Sequence, residues 1–214
     1  MTRMRFSLRE DDAVFASRVD EAISVQMNVR IAAKRRSLVT KMKAHIGTWL
    51  RNTPELIELG VSYNRPGSLA SQIGLPYGTS FAAVNGIVDA ILASTEVVIE
   101  NIDRKLSRGG ITLKCQPKDF ANILSLPEGS ISIMGGELEW LRWLLERGNE
   151  MIVVGYEYSP RAGFGRSRGG VMTEGTSWRI PPAYAGTPDD NFITRAFSGR
   201  ESNVQHVFQS IFGD

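Results

Sequence analysis

The residues after Asp11 carry a helical pattern that extends to about Leu50. Apolar side chains recur there at steps of three, four or seven residues, which places them on one stripe of an α-helix. The members of this stripe are Val19, Ile23, Met27, Ile31, Leu38, Met42, Ile46 and Trp49. Such a helix is ~60 Å long, which exceeds what a compact domain of this size buries along its whole length. We therefore expect either a break near Arg35-Arg36-Ser37 or a projecting helix that packs on a neighbouring subunit.

Charge along this helix is uneven, because no acidic residue lies between Glu21 and Glu55. The basic residues of the same stretch are Arg30, Lys34, Arg35, Arg36, Lys41, Lys43 and Arg51. One interpretation is a solvated helix face, which is the usual meaning of a charge run. The other is a surface for DNA phosphates or for an acidic partner subunit.

The rest of the chain predicts an α+β fold: a small, mainly antiparallel sheet packed with helices, with the long helix before it and an amphipathic helix after it. Thr53-Pro54 and Gly60 bound a short helix, and a longer one is expected from Ser80 to Ser94. The predicted strands are Glu96–Ile102, Gly110–Cys115, Ser130–Met134, Met151–Tyr158 and Val171–Ile180, and a further helix is predicted at Glu137–Arg147.

Three regions follow from these patterns: a helical arm at 1–52, an α+β core at 53–200 with an Arg/Gly loop at 159–170, and a helical tail at 201–214. The tail has a narrow apolar face, which must either fold back or dock on a neighbour. We expect it to be a subunit interface, formed by Val204, Val207, Phe208, Ile211 and Phe212.

Composition sets limits on the class of protein. The chain has 214 residues, of which 42% are hydrophobic and 22% charged, so we expect a folded protein rather than a disordered one. A net charge of +2 is too small to indicate nucleic-acid binding by the whole chain. Cys115 is the one cysteine, which excludes an intrachain disulfide and is typical of a reducing compartment. The first residues lack the apolar core of a signal peptide, so the expectation is a soluble, non-secreted protein.

No pattern of catalytic or cofactor-binding residues emerges. His45, His206 and Cys115 lack the spacing of metal ligands, and there is no G-x-S-x-G motif for a nucleophile. Gly163-x-Gly165 lacks the G-K-[S/T] of a phosphate loop and precedes a predicted strand, whereas a phosphate loop precedes a helix. Two acidic pairs, Asp11-Asp12 and Asp189-Asp190, suit helix starts. We therefore expect no metal, no cofactor and no enzymatic activity.

The Arg/Gly loop carries three arginines on a glycine-rich frame: Arg161, Arg166 and Arg168. It is either a solvated hairpin loop without a partner or a flexible basic finger. Such a finger would contact DNA phosphates without reading sequence, or would be ordered by an adjacent ring.

The stretch from Ser159 to Phe197 has a distinctive order: the Arg/Gly loop, an extended segment ending in WRIPP, and a turn leading into the helix of AGTPDDNFITRAF. This order resembles the C-terminal signature of head–tail joining proteins of tailed bacteriophages, the tail-completion or virion-morphogenesis type. The matching positions are Trp178, Pro181, Pro182, Gly186, Thr187, Asn191, Phe192 and Arg195, with a weaker match at 66–75. The family has no catalytic residues to transfer, and the matching positions are expected to be structural.

The resemblance implies a homo-oligomeric ring at the neck of the virion, between capsid and tail, around the passage of the genome. We expect a ring of about six or about twelve subunits, assembled in the host cytoplasm beside portal-side or tail proteins. The alternative is a soluble nucleic-acid-binding protein that uses the basic face from Arg30 to Arg51. An enzyme of another type is a third hypothesis, which the missing constellations disfavour.

Overall fold

The structure of the chain, a computed structural model, describes residues 11–61, 65–115, 119–133 and 136–213. Residues 1–10 of the expected arm, Met134 of a predicted strand and Asp214 of the tail lie outside these ranges. The helices are α1 Asp12–Arg51, α2 Pro54–Leu59, α3 Leu69–Ile73, α4 Ser80–Ser94, α5 Ala121–Leu124, α6 Trp140–Leu145, α7 Phe192–Phe197 and α8 Glu201–Phe212. The strands are β1 Glu96–Glu100, β2 Gly110–Lys114, β3 Ile131–Ile133, β4 Gly136–Leu138, β5 Val153–Ser159 and β6 Val171–Trp178.

Helix α1 is continuous over 40 residues, so of the two alternatives the break near residues 35–37 does not occur. Its two halves differ in environment. From Leu38 onward the apolar stripe is buried, and Met42, Ile46 and Leu50 are almost inaccessible. Before residue 30 the same stripe is exposed at Val19, Ile23 and Met27. The lower half, from Leu38 to Arg51, therefore belongs to the core. The upper half, from Asp12 to Val29, is contacted on one side, where Ser24 is buried and Asn28 exchanges two hydrogen bonds with Ile102.

Helix α8 folds back along α1 in the antiparallel direction. At one end, Arg200 lies over the Trp49 ring with its guanidinium carbon 5.8 Å from the centroid; at the other, Arg30 Nη2 reaches the Phe212 carbonyl at 3.4 Å. Val207 and Ile211 are buried against the core of the same chain, and Val204, Phe208 and Phe212 are half-buried on it. The fold-back alternative is therefore the one observed, and most of the apolar face expected to contact another subunit is covered within the chain.

The core is centred on α4, which contacts α1, α2 and α5. Ile87, Val88 and Ile91 of α4 are fully buried there. The α1–α2 corner is built as the sequence predicts, because the Thr53 side chain accepts a hydrogen bond from the Leu56 amide and Pro54 opens the helix. Lys43 Nζ donates to the Leu92 carbonyl at 2.7 Å and ties the end of α4 to α1.

The strands confirm the α+β class but form three separate antiparallel pairs, β1–β2, β3–β4 and β5–β6, where one small sheet was expected. The longest pair runs from Val153↔Trp178 to Ser159↔Val171. Its register shifts between Val154 and Tyr156, where Gly155 takes a φ of +84° that favours glycine.

The helix predicted from Glu137 begins later, at Trp140. Residues 136–138 instead form β4, with Glu137 opposite Ser132 of β3. The Glu137 carboxylate also accepts a hydrogen bond from Ser130 Oγ. Strand pairing thus outweighs the helical preference of the Glu137–Arg147 segment at its first turn.

Candidate functional site

The signature segment begins at the end of β6, where the chain turns into the core. Trp178 is buried, and its carbonyl accepts a hydrogen bond from the Ile152 amide at 2.9 Å. Ile180 is fully buried behind it. The Pro181 carbonyl then accepts from the amides of Tyr184 and Ala185, so Pro181 and Pro182 lie in a tight turn that directs the chain towards α6.

Gly186 is the point of closest approach between this segment and α6. Its amide donates to the Trp143 carbonyl at 3.2 Å, and its carbonyl accepts from the Gly148 amide at 2.9 Å. A Cβ at this position would lie 1.8 Å from the Leu144 carbonyl oxygen. Glycine is therefore required here by space, since any side chain would collide with backbone.

Asn191 caps α7 through a reciprocal pair of hydrogen bonds. Its Oδ1 accepts from the amides of Ile193 and Thr194 at 3.0 and 3.2 Å, and Thr194 Oγ1 accepts from the Asn191 amide at 2.9 Å. Its Nδ2 also donates to the Thr187 carbonyl at 2.9 Å. The adjoining Phe192 is fully buried. This capping box fixes both the start of α7 and the turn before it.

Arg195 joins the signature loop to α2. Its Nε lies 2.7 Å from Asp190 Oδ1, its Nη1 lies 2.7 Å from Glu55 Oε1, and its Nη2 donates to the Ala185 carbonyl at 3.0 Å. The hydrogen bond to Asp190, and to a smaller extent that to Glu55, raises the pKa of Arg195, and the bond with Arg195 lowers the pKa of Asp190. Glu55 is only 1% exposed, and its Oε2 has no hydrogen-bond partner among the described residues.

The eight positions of the resemblance therefore lie in one block that runs from β6 through the α6 contact to α7. Each either packs in the core, forms a turn or makes a hydrogen bond that fixes the loop. The arrangement holds the signature loop against α6 and α2. The sequence pattern missed Glu55, because its partner Arg195 is 140 residues away along the chain.

The Arg/Gly loop is anchored along its second half, contrary to the expectation of a finger with three free arginines. Arg166 Nε donates to the Gly74 carbonyl at 2.8 Å and its Nη1 to the Ser132 carbonyl at 2.5 Å. The Arg168 guanidinium carbon lies 4.4 Å from the centre of the Tyr77 ring, a cation–π contact. Two of the three arginines thus hold the loop against α3 and β3.

The Tyr158 hydroxyl links the loop to α3. It donates to the Gly169 carbonyl at 2.7 Å, accepts from the Gly67 amide at 3.0 Å and lies 2.8 Å from Ser71 Oγ. Ser167 is buried beside it. The loop tip is different in character, since Arg161 is exposed and Phe164 is 90% exposed. Arg161 is therefore the arginine of this loop that extends into solvent.

The basic face of α1 is largely used within the chain. Lys34 Nζ donates to the Ile211 carbonyl at 2.5 Å, Lys41 Nζ lies 3.4 Å from Ser210 Oγ, and Arg30 and Lys43 bind carbonyls of Phe212 and Leu92. Because Arg30 and Lys34 meet the last carbonyls of α8, they stabilise the negative end of its dipole. Arg35 and Arg36 remain exposed and line a shallow groove with Ala32 and Ala33.

The upper half of α1 carries several exposed apolar side chains. Its exposed large hydrophobic residues are Val14, Phe15, Val19, Ile23, Val25, Met27 and Val29. The sequence stripe includes Val19, Ile23 and Met27 but misses Val14, Val25 and Val29, which lie on another side of the helix. Their 11- and 4-residue spacing was the signal that could have revealed a second apolar face.

Metal and membrane sites are not indicated by the described part of the chain. No three His, Cys, Asp or Glu residues come together there as ligands, and burial raises the pKa of the Cys115 thiol, which disfavours the reactive thiolate. Within the same ranges, no helix combines the length and apolar character needed to cross a bilayer.

A comparison of the chain with protein-family models, with curated proteins and with solved structures gives no match.

Proposed function

We propose that this protein is a non-enzymatic structural component of a tailed-phage virion, forming a homo-oligomeric ring in the neck between capsid and tail. The ring surrounds the passage of the genome and contacts portal-side or tail proteins. It assembles in the host cytoplasm. One face of the ring completes either the head or the tail, so that the two parts of the virion can join.

The observation that carries the proposal is the exposed apolar surface on the upper half of α1. Seven large apolar side chains are exposed within residues 14–29, while the lower half of the same helix is built into the core. Contiguous exposed apolar surface on a folded protein is typical of an interaction site. An oligomer provides the cover that one chain lacks.

The resemblance of the signature segment to head–tail joining proteins supports a neck ring as the kind of oligomer. Its residues form a rigid block around Gly186 and Arg195, as expected for positions that define a scaffold. The exposed loop tip around Arg161 and Phe164 lies at the end of the β5–β6 pair. It is suited to contact a neighbouring ring or passing DNA, since a basic group there needs only to approach phosphates.

The decisive experiment combines mass measurement of the purified protein with images of virions. We expect a discrete closed assembly in solution and the same protein in the neck of purified particles. The double substitution Val25→Asp with Val29→Asp should abolish assembly, because charges would be placed in the apolar surface. Gln26→Asp, on the same exposed stretch, is the control. A protein that stays monomeric at high concentration and is absent from virions would overturn the proposal.

The alternative, binding of nucleic acid by the basic face, has a separate test. Only Arg35 and Arg36 of that face are exposed without a described contact, so the substitution of both by Ala should remove any affinity. A steep decline of affinity with salt in the unsubstituted protein would favour this alternative. Negligible affinity at low salt would exclude it.

A further inference from the structure

Two exposed arginines of the Arg/Gly loop, Arg166 and Arg168, are held by uncharged groups. Arg166 donates from Nε to the Gly74 carbonyl and from Nη1 to the Ser132 carbonyl, and the Arg168 guanidinium lies over the Tyr77 ring. Several other arginines of the chain pair with carboxylates instead: Arg65, Arg104, Arg142, Arg147 and Arg195. Within the described ranges, neither loop arginine therefore has its charge neutralised by a carboxylate.

The segments that surround these two arginines contain no acidic residue. They are residues 69–83, with α3 and the first turn of α4, residues 131–133, which form β3, and residues 159–170 of the loop itself. Glu128 is the carboxylate that lines a cavity of about 470 Å³ together with Arg166. It lies against Gly86 of α4 and makes no ion pair with Arg166. The loop and the connection between α3 and α4 thus form a surface of uncompensated positive charge.

The anchoring contacts position both guanidinium groups and leave N–H groups available. Arg166 Nη2 makes no hydrogen bond within the described part of the chain. Arg168 contacts Tyr77 through its charge, and its side-chain N–H groups donate no hydrogen bond to any described residue. Because these side chains are already ordered, a ligand that binds them loses less conformational entropy than one that must order free arginines.

The backbone of Arg168 supports a binding role for this part of the loop. Its φ is +59°, in the left-handed region that residues other than glycine rarely adopt, although Gly169 follows directly. The Arg168 amide donates to the Gly165 carbonyl at 2.8 Å, which maintains the turn. Strained conformations that the surrounding structure maintains are frequent at ligand-binding sites. Here the turn places Arg168 on the α3–α4 connection, which also holds Arg166.

We propose that Arg166 and Arg168 form a binding site for phosphate groups of the DNA backbone. This inference rests on the proposed function for the passage of DNA and names the surface that DNA meets. Guanidinium groups bind phosphate oxygens through charge-assisted hydrogen bonds, which are stronger than hydrogen bonds to carbonyls. Arg161, further out on the loop, extends the positive surface. Separate cations along one loop suit a polyanion with regularly spaced charges, and contacts of this kind read no base sequence.

The affinity of the full chain for duplex DNA tests the site. Fluorescence anisotropy with a labelled duplex of about 30 base pairs should give a log affinity that falls linearly with log salt concentration. Arg166→Met with Arg168→Met should reduce this slope by about 2, equally on two duplexes of unrelated sequence. The matched control is Arg65→Met with Arg142→Met, which removes arginines that carboxylates already neutralise and should leave the slope unchanged.

A charge-retaining variant separates phosphate binding from the structure of the loop. Arg166→Lys with Arg168→Lys loses the guanidinium contacts but keeps both charges, so its salt slope should be retained. Thermal unfolding verifies that each variant folds. In the unsubstituted protein, duplex DNA should also slow cleavage by chymotrypsin after Phe164 several-fold, because this exposed residue lies two positions before Arg166.

Four results would overturn the site. They are negligible affinity for the duplex at low salt, a slope that Arg166→Met with Arg168→Met leaves unchanged, a slope that the lysine variant loses as well, and binding of inorganic phosphate without binding of the duplex. Loss of affinity in Arg35→Ala with Arg36→Ala, but not in the loop variant, would assign DNA binding to the basic face of α1 and would count equally against the loop.

The outcomes also separate this site from the proposed function. DNA affinity that depends on Arg166 and Arg168, in a protein that is absent from virions, would support the site and overturn the neck function. A ring in the virion neck, formed by a protein without affinity for the duplex, would support the neck function and overturn the site.

Discussion

Arg195 of α7 and Glu55 of α2 form an ion pair with 2.7 Å between Nη1 and Oε1, across 140 residues of sequence. The carboxylate is almost completely buried, while the guanidinium is 34% exposed and also holds Asp190. Arg195 thus neutralises a buried charge and fixes the signature loop through one side chain. Loss of the Arg195 side chain therefore leaves the buried Glu55 charge without its partner and releases the signature loop.

Arg195→Met should lower the free energy of unfolding by about 2–4 kcal/mol, because it leaves a buried carboxylate without its counter-charge. Denaturant unfolding measures the loss. The matched control is Arg65→Met, whose partner Glu58 lies 2.8 Å away in a more exposed pair, and whose cost should stay below about 1 kcal/mol. Equal costs for the two variants would contradict the role given to Glu55.

Acid should weaken the signature loop through Asp190. The hydrogen bond from Arg195 holds the pKa of Asp190 below its usual 3.8. A carboxyl whose pKa is lower in the folded state stabilises that state above pH 3.8, and the contribution is lost as pH falls through the folded pKa. Unfolding midpoints measured from neutral pH downwards should therefore decline below pH 3.8, and less steeply in Asp190→Asn.

Asp103 is a second carboxyl that contributes to the acid dependence of stability. The pKa of Asp103 is also lowered, chiefly by the Ser107 hydroxyl, so Asp190→Asn should retain part of the acid dependence. An unchanged slope in Asp190→Asn would show that its bond with Arg195 contributes nothing in solution.

Gly186→Ala should be among the most damaging single changes in the core. The new methyl would overlap the Leu144 carbonyl, and relief requires separation of the signature loop from α6. We expect a loss of about 3 kcal/mol or more in thermal or denaturant unfolding. Gly110→Ala, where nothing lies within 4 Å of the added atom, should change stability little. A well-folded Gly186→Ala protein of normal stability would refute the close approach.

Lys34→Met should loosen the end of α8 while leaving its apolar contacts in place. It removes the cation that meets the Ile211 carbonyl, at an expected cost of about 0.5–1 kcal/mol. Amide hydrogen exchange in residues 207–212 should accelerate selectively. Arg36→Met, an exposed cation on the same helix, is the control and should leave exchange in α8 unchanged.

Tyr158→Phe should release the second half of the Arg/Gly loop. The change deletes the hydroxyl shared with Gly67, Ser71 and Gly169 and should cost about 1–3 kcal/mol. Limited proteolysis should then cut between 160 and 170 faster than in the unsubstituted protein. Tyr156→Phe, in an exposed position of the same strand, is the control and should be cleaved at the same rate as the unsubstituted protein.

Local patterns in the sequence predict much of this fold. The Thr53 cap and the apolar stripe of α1 depend on neighbours within a few residues, so spacing alone places them. The β4 strand escaped prediction because Glu137 pairs with Ser132 across a turn, against the helical preference of its own segment. Propensity describes a residue's neighbours in sequence, whereas strand pairing adds neighbours in space.

In the candidate site, too, the contacts that sequence patterns missed are those between residues distant in sequence. Glycines in the Arg/Gly loop indicate flexibility, yet Arg166 is anchored on Gly74 and Ser132, which are distant in sequence. The buried Glu55 looks like an ordinary first-turn acid until Arg195 is placed beside it. Contacts of this kind depend on tertiary packing, and no spacing rule encodes them.

The continuity of α1 has a consequence for the cost of association. Starting a helix is the unfavourable step, and extending one is far easier. Because the lower half of α1 is already helical within the core, the upper half extends an existing helix and needs no nucleus of its own. A partner that docked on this arm, as proposed, would therefore meet a helix that is ordered in advance, and the entropy lost on binding would be smaller than for a segment that must fold as it docks.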